Sequence, residues 1–459
     1  MGNYALPYPA FPMARSYFIH TFGCQMNESD SQRMGEALSR AGWVPTASAD
    51  GADLIVVNTC AIREKAENKL YSALGRYRLL KAQRGTKIGV AGCVAQQEKD
   101  ALLRRAPFVD FVLGPDHLDK VPRLVESRGR VETDFIDSHD YLFPQADPES
   151  SRGRATAFVT AMKGCDNVCS FCVVPYTRGR EVSRPYPEIV REIAGLVAVG
   201  VREVTLIGQN VNSYAGGCRF AELIQRVASV PGLMRIRFTT SHPMDLSPDL
   251  IRCFFEVAKL MPHFHLPVQH GADSVLLRMR RKYTIAEYER RIAALPAEIA
   301  LTSDIICGFP GETDEEHRQN IEFLRRTPYD NLFSFIYSPR PHTGAILKMG
   351  EWGEVPRAVA LERLEEVQAL QRARTLERHR SKVGAEVEVL VEQASGQRFG
   401  RSRENWAVHF DGDAQVGDVV RVRLASASLV ALRGAQVAVI DSAPQMGAPP
   451  RRRLAVVNA

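Results

Sequence analysis

Short apolar runs alternate with amphipathic stretches between residues 16 and 130. The amphipathic patterns over 28–41 and 62–79 predict two helices. The apolar runs predict four strands, at 16–20, 54–57, 87–91 and 109–113. Because strands that alternate with helices are typical of α/β folds, we predict a doubly wound, mostly parallel sheet in this part of the chain.

The same alternation recurs six times between about 155 and 345. The six predicted strands are 157–162, 203–207, 234–239, 263–267, 301–306 and 332–337. Amphipathic stretches such as 187–199 and 314–325 separate them. This repeat predicts a partial (βα)6 barrel, in which functional residues are expected at the carboxyl ends of the strands.

The pattern changes after residue 350. Charged residues at helical spacing over 354–382 predict a connecting helix, and a period of two beyond residue 384 predicts short strands that form a small β-barrel. The predicted organisation is an extension at 1–15, domains at 16–135, 151–380 (with the connecting helix) and 381–442, and a disordered tail at 443–459.

Composition is that of an ordinary globular chain. Of the 459 residues 45% are hydrophobic and 24% are charged, which is enough to bury several cores. No apolar run is long enough to cross a membrane, and no secretory signal pattern opens the chain, so we expect a cytoplasmic protein without a membrane partner. A net charge of +6 permits an RNA partner without arguing for one.

Three cysteines, Cys165, Cys169 and Cys172, lie within eight residues. Three thiolates at this spacing can bind three irons of a four-iron cluster and leave the fourth iron without a protein ligand. An open metal position is what distinguishes a reactive site from a closed structural one. The motif resembles the cluster loop of radical S-adenosylmethionine (SAM) enzymes.

Two other uses of these cysteines fit less well. A zinc knuckle needs a fourth ligand nearby, and the next candidates, Cys218 and His242, lie far along the chain. A disulfide framework is typical of short secreted chains, not of nine cysteines scattered over 459 residues.

Cys24, Cys60 and Cys93 each follow a predicted strand of the N-terminal sheet. Ligands bind at the carboxyl edge of open α/β sheets, so three cysteines at equivalent topological positions predict a second cluster with one open iron. A lone cysteine is most often a small buried hydrophobe, and three at matching positions are less easily explained in that way. Cys218, Cys253 and Cys307 have no ligand-like partners in the sequence, and we interpret them as structural or incidental.

Polar residues follow several predicted strands of the barrel region. We take seven of them as candidates for cofactor binding: Gln209, Asn210, Ser241, His242, Asp304, Gly308 and Glu312. His242 and His270 could act as general acids or bases. A hydrogen-bonded histidine at a strand end is the more common case, so no catalytic residue is predicted beyond the clusters.

Arg398, Arg401 and Arg403 lie near aromatic Phe399 and Trp406 in the C-terminal region. They are the candidates for RNA binding. Acidic residues slightly outnumber basic ones over 382–441, so electrostatics alone does not establish that role.

The order of these parts resembles the radical SAM methylthiotransferase family, which combines a three-cysteine domain, a radical SAM barrel and a C-terminal TRAM barrel. The resemblance covers residues 16 to 442. Four segments resemble the tRNA-modifying, MiaB-type branch: Thr21-Phe22-Gly23-Cys24-Gln25-Met26-Asn27, Cys172-Val173-Val174-Pro175-Tyr176-Thr177-Arg178-Gly179, Gly208-Gln209-Asn210-Val211-Asn212-Ser213-Tyr214 and Thr240-Ser241-His242-Pro243.

This resemblance implies methylthiolation of C2 of N6-dimethylallyl-adenosine at position 37 of tRNA. It assigns Cys165, Cys169 and Cys172 to the SAM-binding 4Fe–4S cluster, and Cys24, Cys60 and Cys93 to an auxiliary 4Fe–4S cluster. The implied partners are the tRNA anticodon loop and a reducing electron donor such as flavodoxin or ferredoxin. We expect a monomer.

Two other functions are possible. Related enzymes act on threonylcarbamoyl-adenosine in tRNA or on an aspartate of a ribosomal protein, and a non-catalytic, metal-stabilised RNA-binding protein is the alternative of another class. The chain also departs from the family at His270 (usually Ser), Cys307 (commonly Val) and His342 (commonly Gly). These departures concern polar contacts in that sector and not the reaction.

Overall fold

The structure is a computed structural model, and it describes residues 15–61, 64–137, 140–144, 146–444 and 456–458. The chain forms two compact units. The first comprises Met1–Ile136, Pro144–Ala146 and Arg451–Ala459, and the second comprises Asp137–Phe143 and Asp147–Pro450.

The first unit is built on a parallel sheet with the strand order β2-β1-β3-β4-β5-β6. Its strands are β1 (Ser16–Phe22), β2 (Val44–Pro45), β3 (Leu54–Thr59), β4 (Lys87–Gly92), β5 (Phe111–Leu113) and β6 (Arg130–Glu132). Its helices are α1 (Gln25–Arg40), α2 (Glu64–Arg84), α3 (Cys93–Glu98), α4 (Asp100–Arg105) and α5 (Val121–Leu124), with short 3-10 helices at Ala49–Gly51 and Pro115–Lys120. The predicted doubly wound sheet is confirmed, although β2 and β6 were not predicted.

The central strand β3 is buried along its whole length. A parallel strand covered on both faces needs apolar residues throughout, which explains the run Leu54-Ile55-Val56-Val57. In register, Phe22 pairs with Thr59 and Thr59 pairs with Gly92. The carboxyl ends of β1, β3 and β4 therefore lie side by side at one edge of the sheet.

The second unit contains six parallel strands followed by a small barrel. The six parallel strands are β7 (Thr156–Thr160), β10 (Glu203–Ile207), β11 (Arg235–Phe238), β12 (His263–His265), β13 (Ala300–Cys307) and β14 (Asn331–Ile336), and a hairpin of β8 (Met162–Lys163) and β9 (Val182–Ser183) lies between β7 and β10 in the chain. The orders β11-β10-β7 and β12-β13-β14 are joined by a parallel bridge between Ile236 and Leu260. The predicted partial (βα)6 barrel is confirmed.

Most helices of this unit pack against one face of these strands. The helices of the unit are α6 (Val174–Arg178), α7 (Tyr186–Ala198), α8 (Phe220–Ala228), α9 (Pro248–Glu256), α10 (Asp273–Arg278), α11 (Ile285–Ala293), α12 (Asp314–Arg326), α13 (Gly344–Trp352) and α14 (Arg357–Arg380), with 3-10 helices at Pro148–Ser151, Val211–Ser213 and Pro243–Asp245. Val204, Ile236 and Phe264 point into the core beneath these helices. The alternate residues of the same strands form the opposite, largely polar face.

Two predicted boundaries in this unit are wrong. The strand predicted over 157–162 ends at Thr160, and Met162–Lys163 instead forms an antiparallel hairpin with Val182–Ser183. The helix predicted from 354 begins at Arg357, because Pro356 occupies its N-cap and a separate helix, α13, precedes it.

The C-terminal part closes into a small barrel, as predicted, and its five strands follow the order β15-β16-β17-β19-β18. Its strands are β15 (Glu386–Gln393), β16 (Arg398–Ser402), β17 (Ala407–Asp411), β18 (Val419–Ala427) and β19 (Leu432–Asp441). Arg202, just before β10, donates to the main-chain oxygen of Gly417 and pairs with Asp441. The small barrel is thus attached to the amino ends of the parallel strands.

Strand β20 (Val456–Asn458) pairs in parallel with β1. The prediction of a disordered tail is therefore wrong for these three residues, and residues 445–455 and 459 lie outside the described part. The extension predicted at 1–15 lies outside it as well, apart from Arg15. In the part of the chain that the structure describes, no helix is long and apolar enough to cross a membrane.

Candidate functional site

The loop that carries Cys165, Cys169 and Cys172 leaves the hairpin β8–β9 at Gly164. Gly164 has φ 73°, and a Cβ there would collide with the main chain of Gly179 and Arg180. Only glycine lets the two hairpin arms approach this closely. The loop is then held by the amide of Gly164, which donates to Gln209 Oε1 (2.5 Å), and by the amide of Cys165, which donates to the carbonyl of Gly179 (3.2 Å).

The three thiols of this loop influence one another. Burial, together with the smaller effect of a negative charge on Cys169, raises the pKa of Cys165 to about 11 and that of Cys172 to about 12. Three half-buried sulfurs in one short loop cannot all be thiolates unless positive charge compensates them. Iron would supply that charge, so the donor set fits an iron–sulfur cluster.

Geometry argues against a closed single-ion site. Among the described residues, no three His, Cys, Asp or Glu side chains are placed to hold one metal ion. In a four-iron cluster each thiolate binds a different iron, so the three sulfurs do not have to converge on one point. All nine cysteines carry thiols, which also excludes the disulfide framework.

The other three predicted ligands meet at the carboxyl edge of the N-terminal sheet. Cys60 follows β3 directly, Cys93 begins α3 directly after β4, and Cys24 is the N-cap of α1 after β1. A Cβ built on Gly23 would lie 2.9 Å from the Cβ of Cys60, so the loop that carries Cys24 touches the loop that carries Cys60. The structure thus brings together three cysteines that are 69 residues apart in sequence at their extremes.

A polar network beneath this cysteine set holds it in place. Asn27 Oδ1 accepts from the Cys24 amide (3.3 Å) and lies 3.4 Å from its sulfur. Asn27 Nδ2 donates to Asn58 Oδ1 (3.2 Å), and Asn58 donates to Ser31 Oγ (2.9 Å). Asn27 and Asn58 are buried, so the network fixes Cys24 relative to the end of β3.

Four of the predicted cofactor-binding residues follow β10 and β11. Asn210 donates to Asp245 (2.8 Å), while its Oδ1 and the hydroxyl of Ser241 are buried without a protein partner in the described part of the chain. Burial lowers the pKa of His242 to about 2, so this imidazole is neutral, and its Nδ1 accepts from the Met244 amide. Two unsatisfied buried polar atoms in one place suit a polar ligand.

Of the remaining candidates, Asp304 lies on the polar face of β13, 3.6 Å from His265. Glu312 is fully buried, and it accepts from the amides of Gly308 (2.5 Å) and Phe309 (3.0 Å). Gly308 faces Ala360 of α14, where a Cβ would collide. The structure therefore places Gly308 and Glu312 where they shape the loop after β13.

His270, one of the departures from the family, is completely buried against Glu312. Its Nδ1 accepts from the Ala272 amide (3.0 Å) and its Nε2 lies 3.5 Å from the carboxylate. His317 and Arg363 approach the same carboxylate, at 3.6 and 3.5 Å. His270 thus belongs to a buried polar cluster rather than to a set of exposed acid–base groups.

The polar face of the barrel strands also carries two aromatic residues that the sequence analysis did not select. Phe333 and Phe335 are 45% and 37% exposed, although they alternate with residues that pack toward the helices. In register, Phe333 pairs with Asp304, and its ring lies edge-on to that of His265 at 5.8 Å. The alternation of exposed and half-buried residues along β14 could have indicated these two rings. The sequence gives no indication of what an apolar side chain on the face away from the core would bind.

The three RNA-binding candidates have different surroundings. Arg401 lies 3.6 Å from Glu392 and over the ring of Phe399. Arg398 is half-buried and Arg403 is exposed. The main-chain oxygens of Arg401 and Arg403 accept from Arg235 and Arg237 of β11. This segment therefore joins the small barrel to the parallel strands.

Two family matches cover separate parts of the chain. Residues 16–114 match the Uncharacterized protein family UPF0004, and residues 159–324 match the Radical SAM superfamily. A solved radical S-adenosylmethionine methyltransferase, TsrM from Kitasatospora setae, has the same fold over 84% of this chain and 82% of its own, with a TM-score of 0.52 and 13% identity. The fold and the three-cysteine loop define a radical SAM enzyme.

Curated relatives match nearly the whole chain. A tRNA-2-methylthio-N(6)-dimethylallyladenosine synthase of Myxococcus xanthus (strain DK1622) is 56% identical over 93% of this chain and 95% of its own. The enzyme of that name from Anaeromyxobacter sp. (strain Fw109-5) is 59% identical over 92% of this chain and 95% of its own. This chain belongs to the tRNA-2-methylthio-N(6)-dimethylallyladenosine synthase family.

Proposed function

We propose that this protein replaces the hydrogen at C2 of N6-dimethylallyladenosine, at position 37 of tRNA, with a methylthio group. The observation that carries the proposal is the presence of two separate three-cysteine sets, one in the loop that follows β8 and one at the carboxyl ends of the parallel strands β1, β3 and β4. One three-cysteine cluster site is enough to generate the radical from SAM. A second cluster site can carry the sulfur atom that is inserted into the base. Relatives of the same name at 56% and 59% identity support the same reaction.

Both sites use 4Fe–4S clusters, and SAM is the co-substrate. Cys165, Cys169 and Cys172 would hold the SAM-binding cluster, and Cys24, Cys60 and Cys93 the auxiliary one. When bound, these groups supply a carbon radical that can break an unactivated C–H bond, together with a carrier for the inserted sulfur. The protein residues have to bind the base, orient it and exclude water.

The polar face of the barrel strands suits a purine base. Phe333 and Phe335 offer exposed rings on which a base can stack, and such stacking contributes about 1–3 kcal/mol per base. Asp304 and His265, beside Phe333, offer a hydrogen-bond acceptor and an imidazole ring. A base from a tRNA loop can be splayed out to reach such a surface.

The small barrel would bind the rest of the tRNA. Arg403 has the side chain of the predicted set that is best placed for phosphate, since Arg401 lies near Glu392 and Arg398 donates to the main-chain oxygens of Gly396 and Ala414. A flavodoxin or ferredoxin would supply the electron, and the protein would act as a monomer.

Nucleoside analysis of tRNA tests the proposal. A strain without this protein should accumulate N6-dimethylallyladenosine, and the full-length protein should restore the 2-methylthio form. A triple Cys165→Ala, Cys169→Ala, Cys172→Ala variant is the matched control and should restore nothing. Loss of a methylthio group from threonylcarbamoyl-adenosine, or from a ribosomal protein aspartate, would favour one of the related reactions instead.

A further inference from the structure

The cluster loop is tied to the segment that follows α10. The amide of Ser170 donates to the carbonyl of Met279 (3.0 Å), and its hydroxyl donates to the carbonyl of Arg278 (2.7 Å). Ser170 is buried and lies directly after Cys169. Residues 278–283, which we call the strap, therefore fix one side of the cluster loop.

The backbone of the strap is unusual around Arg281. Arg280 and Lys282 have φ angles of 58° and 57°, in the left-handed region that residues with a side chain seldom adopt. Such conformations are energetically unfavourable and persist only when the surrounding structure imposes them. Arg280 and Lys282 are exposed, whereas Arg281 is only 4% exposed. The two turns thus place a single arginine inside the protein.

Once buried, the Arg281 guanidinium is fixed by three hydrogen bonds. Its Nη2 donates to the carbonyl of Pro267 (2.8 Å), and its Nε donates to the hydroxyl of Tyr283 (3.0 Å). Its Nη1 donates to the sulfur of Cys169 (3.4 Å). The tyrosine in turn donates to the carbonyl of Val268 (2.9 Å). The charge of Arg281 is therefore held at a defined place against one cluster ligand.

No carboxylate compensates this charge. In the described part of the chain, no Asp or Glu forms an ion pair with Arg281. A buried cation without a counter-charge is strongly unfavourable, so a buried arginine is normally paired. The Cys169 thiolate is the anion that the geometry provides.

We propose that Arg281 donates a charge-assisted hydrogen bond to the Cys169 thiolate and thereby raises the reduction potential of the SAM-binding cluster. The proposal rests on the assignment of Cys165, Cys169 and Cys172 to that cluster. Reduction adds one electron, and hence one negative charge, which spreads over the cluster and its sulfur ligands. A fixed positive charge at a ligand sulfur stabilises the reduced form more than the oxidised form, and hydrogen bonds to sulfur are a known control of cluster potentials.

The test measures that potential directly. Full-length protein with Cys24, Cys60 and Cys93 all replaced by Ala would hold only the SAM-binding cluster, so a single couple is titrated. In this background we compare Arg281→Gln, Arg281→Lys and the control Arg280→Gln, which removes the same charge from the neighbouring exposed position. Each reconstituted protein is titrated with dithionite and followed by electron paramagnetic resonance, without SAM or tRNA.

Arg281→Gln should keep its iron content. Its equilibrium constant for reduction should fall at least about tenfold, which corresponds to a reduction potential about 59 mV more negative. Arg281→Lys keeps the charge but not the fork of donors, so its shift should have the same sign and be smaller. Arg280→Gln should not shift. Equal potentials for Arg281→Gln and Arg280→Gln would overturn the proposal.

Two further outcomes separate this proposal from the assignment on which it rests. If no variant in this background binds iron, including the parent, then the three cysteines do not hold the cluster and the site assignment fails. If Arg281→Gln alone fails to assemble the cluster, the potential of the assembled Arg281→Lys protein tests the proposal. A more negative potential would support it, and an unshifted potential would show that Arg281 has only a packing role.

Discussion

Arg235, at the start of β11, donates to a carboxylate oxygen of Glu388 on the first strand of the small barrel, over 2.9 Å. The same arginine lies 3.9 Å from Glu203, which also accepts from Arg237 (3.0 Å). Burial lowers the pKa of Arg235, and the nearby carboxylates oppose this effect. The parallel strands and the small barrel therefore share one buried ionic network.

Glu203→Gln should destabilise the protein strongly. The substitution keeps the shape but leaves two buried guanidinium groups short of a counter-charge, and breaking a buried ion pair from one side costs about 3–5 kcal/mol. Urea unfolding followed by circular dichroism measures the loss. The control is Glu222→Gln, which breaks an exposed pair with Arg226 and should cost about 0–1 kcal/mol. Equal effects of the two substitutions would show that the network adds nothing beyond a surface pair.

Much of the fold could be predicted from the sequence because its signals are local. The buried run 54–57 and the six strand–helix repeats follow from periodicity alone, and the predicted bounds of these strands lie within a few residues of the observed ones. The hairpin of Met162–Lys163 with Val182–Ser183 could not be predicted, since two-residue strands carry no periodic signal and depend on the close approach at Gly164.

The cysteines were predictable for a similar reason, whereas their surroundings were not. The spacing of Cys165, Cys169 and Cys172 is visible in the sequence. The other three cysteines each follow a predicted strand, so the topology of a parallel sheet places them at the same edge. Arg281 carries no such signal, because its role depends on two left-handed neighbours and on a loop more than a hundred residues away. Phe333 was missed since its apolar character looks like that of any core strand.

Cys24→Ala should separate the two parts of the reaction. This residue belongs to the set at the carboxyl edge of the N-terminal sheet, so its loss should damage only the auxiliary site. The variant should still cleave SAM to 5′-deoxyadenosine and give no methylthio product, both measured by mass spectrometry after anaerobic assay. Cys218→Ala, at a cysteine outside both sets, is the control and should behave as wild type. Normal product formation by the Cys24 variant would contradict the auxiliary assignment.

Phe333→Ala should weaken use of the tRNA substrate and leave the cysteine sites intact. Loss of one stacking contact of about 1–3 kcal/mol would lower kcat/KM for tRNA roughly 5- to 150-fold. Iron content should not change. Phe255, which is 64% exposed on α9, offers a control, because Phe255→Ala removes the same side chain away from the polar face. If both variants use tRNA equally well, the base does not stack on β14.

Binding of tRNA by the small barrel has to be tested with point substitutions, since Arg235 and Arg237 donate to its main chain and deleting the barrel would uncover them. Arg403→Gln is the most informative change, because this side chain is exposed while its carbonyl oxygen stays engaged with Arg237. Each phosphate contact contributes about 0.7–0.9 to the slope of log affinity against log salt, so the variant should bind tRNA more weakly with a slope flatter by about that amount. Fluorescence anisotropy at several salt concentrations measures both quantities.

Arg252→Gln removes an exposed arginine of α9 and should leave the slope unchanged. An unaltered slope in the Arg403 variant, with Arg398→Gln equally silent, would show that these arginines do not contact the RNA backbone.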